Sequence, residues 1–130
     1  MPAYEIITGP GPWPERYTFS PAVRAGNLLL ISGTTATDEQ GRLVAPGDIA
    51  GQTRQIFRRF AQLLEAAGAG FEHIVQTTDY ITTTENYHRT AEVRREFFKG
   101  RYPTATGVIV KGLLREGALI EISALAVLPA

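Results

Sequence analysis

The chain has 130 residues, 44% of them apolar and 20% charged, with 13 Lys plus Arg balanced by 13 Asp plus Glu. That length suits a single domain, spanning 1–130, that buries roughly two-thirds of its unfolded surface, and the zero formal charge gives no electrostatic footprint for nucleic acid or an anionic membrane. Without cysteine, disulfides, thiolate nucleophiles and Cys-ligated zinc are excluded. No apolar run approaches the roughly 20 residues of a membrane span, and the N-terminus lacks a secretory pattern, so a cytoplasmic protein is expected.

Ala3–Thr8 is the first strand candidate, followed by a Pro- and Gly-studded loop over Gly9–Arg16. Asn27–Ser32 (NLLLIS) is a compact apolar run that ends at Gly33 and predicts a central strand. The polar stretch Thr35–Gly47 leaves room for a short arm at Arg42–Val44. Asp48 is placed to cap a first helix, because its carboxylate can accept from the orphan N–H groups beyond it. Ile49, Ile56, Phe57, Phe60, Leu63, Leu64 and Ala67 give that helix a one-sided apolar stripe, and Gly68 closes it. His73–Thr83 is rich in β-branched residues and predicts a second long strand. Thr83 or Thr84 would cap a second helix over Glu85–Lys99, with Tyr87, Ala91, Arg94 and Phe98 on one face and Gly100 at its end. Thr104–Val110 and Ala118–Leu128 are the last strands, joined by a turn at Arg115–Gly117.

The order β-β-(β)-α-β-α-β-β predicts an α+β two-layer domain, a mixed sheet with both helices on one face. The other sheet face then needs cover, and the last strand reads as apolar on both sides, so self-association is expected.

Chemistry-bearing patterns are few. Neither a dinucleotide fingerprint nor a phosphate loop occurs, no Gly-x-Ser-x-Gly is present, and His73 and His88 are not at metal-ligand spacing, so no phosphate cradle, serine triad or zinc site is expected. Ser32, at a strand end, is in a place where a hydroxyl commonly satisfies local backbone groups. Glu121 is the residue that stands out, since it interrupts an apolar strand (LIEIS) where an unpaired charge is costly. It is either a general acid/base with a pKa raised by burial, or a structural carboxylate bonded to backbone or to an Arg at a subunit interface. Arg94, on an apolar helix face, either grips an anionic ligand with its planar fork, or lays its stem along the surface or pairs with a Glu. Trp13, Tyr17, Phe19 and Tyr102 can line a pocket or simply pack.

Several segments, in order, resemble one family. Phe19-Ser20-Pro21-Ala22-Val23-Arg24-Ala25-Gly26-Asn27-Leu28 is similar to its Y-S-x-A-V-x-x-G-N-x opening, and Leu30-Ile31-Ser32-Gly33 to its strand end. Gly51-Gln52-Thr53-Arg54-Gln55 and Leu64-Glu65-Ala66-Ala67-Gly68-Ala69 match the two ends of its first helix. Ala91-Glu92-Val93-Arg94-Arg95-Glu96-Phe97-Phe98 parallels N-E-V-Y-x-E-[YF]-F, and Leu119-Ile120-Glu121-Ile122 parallels [LV]-[VI]-E-I. On these the chain resembles the YjgF/RidA family of enamine/imine deaminases, from about Phe19 to Leu128.

The resemblance implies a chorismate-mutase-like fold, a homotrimer with clefts between subunits, and cofactor-free hydrolysis of small-molecule imines or enamines. It implies that Glu121 handles the water, that Ser32 and Gly33 form the strand end near the substrate, and that Phe19, Ala91, Ala105, Thr106 and Gly107 lie around the binding cleft. Phe19 stands where Tyr is usual, and Ala91 where Asn is. The largest departure is Ala105, in Pro103-Thr104-Ala105-Thr106-Gly107-Val108, where the motif P-x-R-[ST]-x-V carries a carboxylate-binding arginine. Losing that charge-assisted fork implies a substrate that is bulkier or lacks the α-carboxylate, as in a pathway-specific deaminase or a related hydration, tautomerisation or cyclisation, an anion gripped by Arg94 or a neighbouring subunit, or a cleft that only binds.

Overall fold

The computed structural model describes residues 2–129. Its strands are β1 (Glu5–Ile7), β2 (Ala22–Ala25), β3 (Leu28–Thr34), β4 (Ile74–Ile81), β5 (Thr104–Ile109) and β6 (Ile120–Val127), and its helices are α1 (Ile49–Ala66) and α2 (Thr90–Phe98). The strands form one sheet in the order β1-β2-β3-β6-β4-β5. Every neighbouring pair is antiparallel except β4–β5, which is parallel.

Alternation along the strands fixes two unequal faces. Leu29 and Ile31 of β3, and Ile120, Ile122, Ala124 and Ala126 of β6, are buried beneath the helices. The helices contribute Ile56, Phe57, Phe60, Leu64, Val93 and Phe98 to the same core, and the Phe57 ring packs edge-on against Phe71, Phe97 and Phe98 at 5.4–5.6 Å. On the opposite face Ile6, Leu28, Leu30, Val108 and Val127 are exposed. The open side of β6 reads Glu121, Ser123, Leu125, Val127 by the same alternation. The last strand is therefore apolar on the helix side and polar over half of its open side, and not apolar on both as its composition suggests.

Asp48 caps α1 as expected, accepting from the Gly51 amide at 3.0 Å. One turn on, the buried Gln52 side chain donates to the Ala45 and Gly117 carbonyls and accepts from the Leu119 amide at 2.8 Å. It thereby ties the start of α1 to the residues that lead into β6, the strand carrying Glu121. Gln52→Leu strips three backbone groups of their partner, and we expect it to cost about 2–4 kcal/mol. A shift in the urea midpoint corresponding to less than 1 kcal/mol on that scale would show the tie to be dispensable.

Three boundaries differ from expectation. The second helix begins at Thr90 and not at Glu85, because Asn86 takes a left-handed conformation (φ 59°) and Tyr87–Arg89 form a tight turn first. Thr83 accepts from the Glu85 amide at 3.1 Å and so closes a local turn instead of capping a helix. Ala22–Ala25 forms a strand, whereas Arg42–Val44 contributes only a single bridge from Leu43 to Thr37.

Candidate functional site

The β3–β6 ladder runs regularly to Ile31↔Ala124 and resumes at Thr34↔Ile122, so Ser32 and Gly33 form a bulge. A bulge takes backbone off the ladder and bends the strand. The loops on either side hold it in place. Ser32 donates its amide to Pro21 (3.0 Å) and its hydroxyl to Ser20 (2.6 Å), both through backbone carbonyls. Beyond Gly33, the largely buried Arg59 of α1 donates to the Thr35 carbonyl and the Thr37 hydroxyl at 3.0 and 2.9 Å.

The Glu121 carboxylate lies against that bulge. A Cβ added at Gly33 would fall 3.1 Å from Glu121 Cδ and closer still to Oε2. Gly33 is therefore needed for room: any side chain there would displace the acid. Glu121 is part-buried and makes no side-chain hydrogen bond or ion pair with the described residues. Desolvation by burial raises its pKa above the ordinary glutamate range. Tyr80 of β4 stands directly across the strand pair from it. Burial without a paired cation among the described residues makes such a carboxylate a better proton acceptor than an exposed glutamate.

Beside the bulge, on the open face, lies a pocket of about 600 Å³ lined by Trp13, Tyr17, Phe19, Leu30 and Ser32, among others. Trp13 donates its indole N–H to the Phe19 carbonyl at 2.8 Å, and the rings of Trp13, Tyr17 and Phe19 pack within 5.0–5.6 Å of one another. Phe19 and Ser32 line this pocket, and Gly33 with Glu121 adjoins it at the bulge without lining it.

The remaining candidates do not join them within the chain. In the parallel β4–β5 register, Ala105 and Gly107 pair with Thr77 and Asp79 on the helix side, whereas Thr106 pairs with Thr78 on the open side. Ala91 is part-buried in the first turn of α2. The Arg94 guanidinium is engaged inside the chain by Asp79 and the Thr90 hydroxyl. A single ligand can touch both Glu121 and the helix side of β5 only if the two surfaces come from different copies.

Sequence reasoning missed the polar cluster beneath β5. Asp79 is buried, and its Oδ2 accepts from both the Tyr87 hydroxyl and Arg94. The signal that singles out Glu121, an acid inside a strand, was present at Asp79 as well, muted by its Thr neighbours. Among the described residues no three acidic or His side chains gather as a metal site, and no helix is long and apolar enough to cross a membrane.

A family model described as endoribonuclease L-PSP matches residues 14–128. A RutC family protein of Pyrococcus horikoshii is 34% identical over 108 residues, covering 83% of this chain and 85% of its own. Among solved structures, a Yersinia pestis protein of the conserved Rid family superposes with a TM-score of 0.85 at 30% identity, covering 97% of this chain and 100% of that one. A Mycobacterium tuberculosis member of the YjgF/YER057c/UK114 family gives 0.80 at 30% identity, covering 96% and 99%.

Proposed function

Because the chain belongs to the endoribonuclease L-PSP family, which takes in the Rid and YjgF proteins, we propose that it is a cofactor-free hydrolase of activated imines or enamines. The observation that carries this reading is the unpaired, part-buried Glu121 carboxylate held against Gly33 beside an open pocket. Glu121 takes a proton from water as the water oxygen bonds to the imine carbon. The C=N π electrons move to nitrogen, which takes a proton from solvent to give a carbinolamine. Transfer of the proton held by Glu121 to that nitrogen then expels ammonia, as the C=O bond forms and the hydroxyl proton returns to solvent. Backbone N–H groups near Gly33 and Gly107 would meet charge developing on the reacting group.

The working unit in this reading is a cytoplasmic homotrimer, with the apolar open faces turned inward and each cleft made from two copies. Phe19, Ser32, Gly33 and Glu121 come from one copy, and Ala91, Ala105 and Gly107 from the next, whereas Thr106 lies on the open face. Arg94 orders the β5 wall through Asp79. RNA cleavage is disfavoured, since 13 basic and 13 acidic residues leave no net attraction for phosphate. A binding protein of the same fold is the second reading, favoured by Ala105: with no arginine there, a cleft can hold a ligand without orienting it for reaction. Ammonia release measured on wild type and Glu121→Gln separates the two, with light scattering of both expected at three chain masses. Turnover that survives in the Gln variant removes the role given to Glu121, and a monomer in solution removes the two-copy cleft.

A further inference from the structure

The helix side of β5 is notched. Gly107 and Asp79 are register partners and stand side by side there. Asp79 is 2% exposed. Its Oδ2 accepts from the Tyr87 hydroxyl at 2.5 Å and from Arg94, while its Oδ1 is buried with no hydrogen-bond partner among the described residues. Arg94 is further tied to Thr90, whose hydroxyl donates to the Tyr87 carbonyl at 2.8 Å. A Cβ built on Gly107 would meet a single atom within 4 Å, the Tyr87 hydroxyl oxygen at 3.4 Å. The space over Gly107 is otherwise open, and that oxygen is its polar boundary.

A phenol has one hydrogen to donate, and this one is committed to Asp79. Burial, then the hydrogen bond and charge of Asp79, push Tyr87 up to about 12, so the proton stays on. Toward the notch the hydroxyl has only lone pairs to offer. Ala105, on the same side of β5, adds a methyl group, and the Arg94 cation is engaged. A carboxylate placed here would face the lone pairs of the Tyr87 hydroxyl, while the Arg94 cation is drawn away to Asp79 and Thr90. An N–H group would find an acceptor.

We infer that this notch is a specificity subsite of the cleft proposed above, in which the Tyr87 hydroxyl oxygen accepts a hydrogen bond from an NH2 group of the ligand, so that the cleft takes a carboxamide in preference to a carboxylate. The inference rests on that reading of the cleft. Tyr87 selects the ligand, and Glu121 carries out the reaction.

The test is calorimetric titration of the full chain with 2-oxopropanamide, methyl 2-oxopropanoate and 2-oxopropanoate. These are a neutral donor, a neutral compound without a donor, and an anion. The amide should bind about tenfold tighter than either of the others, the worth of one hydrogen bond in a part-buried site. Tyr87→Phe should bring the amide down to the level of the ester and leave the ester unchanged. Gly107→Ala, which sets a methyl group against the phenolic oxygen with Tyr87 intact, should do the same and covers the case in which the Phe variant folds poorly. Equal affinities in wild type, tightest binding of the anion, a preference that survives both substitutions, or no binding of any of the three would each overturn the subsite. The titrations read no chemistry. Ammonia release without an amide preference therefore removes the subsite alone, and an amide preference without ammonia release removes the hydrolase.

Discussion

Glu121→Gln should lower turnover of an activated imine by about 10²–10⁴-fold, the usual contribution of a positioned acid/base, without lowering stability. The second half of that result follows from linkage. Burial raises the Glu121 pKa in the folded protein above its ordinary value near 4.5. Between the unfolded and folded pKa values the folded state holds a proton that the unfolded state releases, so stability falls as pH rises through that window. The Gln variant has no such loss. Its melting temperature at neutral pH should equal or exceed that of wild type, with the difference vanishing below about pH 4.5. The wild-type rate should climb with pH through a midpoint above that value, since the carboxylate must be ionised to accept the proton of water. A Gln variant that is inactive because it is unfolded would remove the assignment, as would a pH–rate profile with no such limb.

Asp79→Ala should be the most damaging single substitution to the fold, costing about 3–5 kcal/mol, because it leaves the part-buried Arg94 guanidinium without its counter-ion. It also frees Tyr87 and loosens the contact between α2 and the sheet. Replacing both charges, Asp79→Val with Arg94→Leu, should recover most of the loss, since an apolar pair of similar volume avoids the desolvation cost altogether. Denaturant midpoints of the single and double variants decide this. A double variant as unstable as Asp79→Ala would mean that the cluster contributes packing and not charge compensation.

The fold was largely legible because its signals are local. The α1 stripe from Ile49 to Leu64 and the β-branched run of β4 each declare an element within a few turns. β2 was not, because four residues, Ala22–Ala25, carry no period of their own and become a strand only by pairing with both β1 and β3. The start of α2 was misread for a related reason: Thr83 makes the bond that a helix cap would make, but Asn86 then turns the chain left-handed. At the candidate site, Glu121 announced itself as an acid in an apolar strand, whereas Gly33 drew attention only through its motif. The reason for a glycine there, the carboxylate occupying the place of its side chain, is a contact between strands nearly ninety residues apart in the chain. The Asp79–Gly107 pairing has the same character, being set by a parallel register that local sequence does not encode.

The most direct measurement of the central claim is ammonia release from 2-imino acids generated in situ by an amino-acid oxidase, with wild type, Glu121→Gln, Ala105→Arg and the double variant side by side. Ala105 is exposed on an edge strand and can accept the longer side chain. The account predicts slow release by wild type, a clear gain in Ala105→Arg as a carboxylate grip is supplied, and loss of both rates when Glu121 becomes Gln. No ammonia from any of the four proteins, or a gain in Ala105→Arg that persists without Glu121, would contradict it.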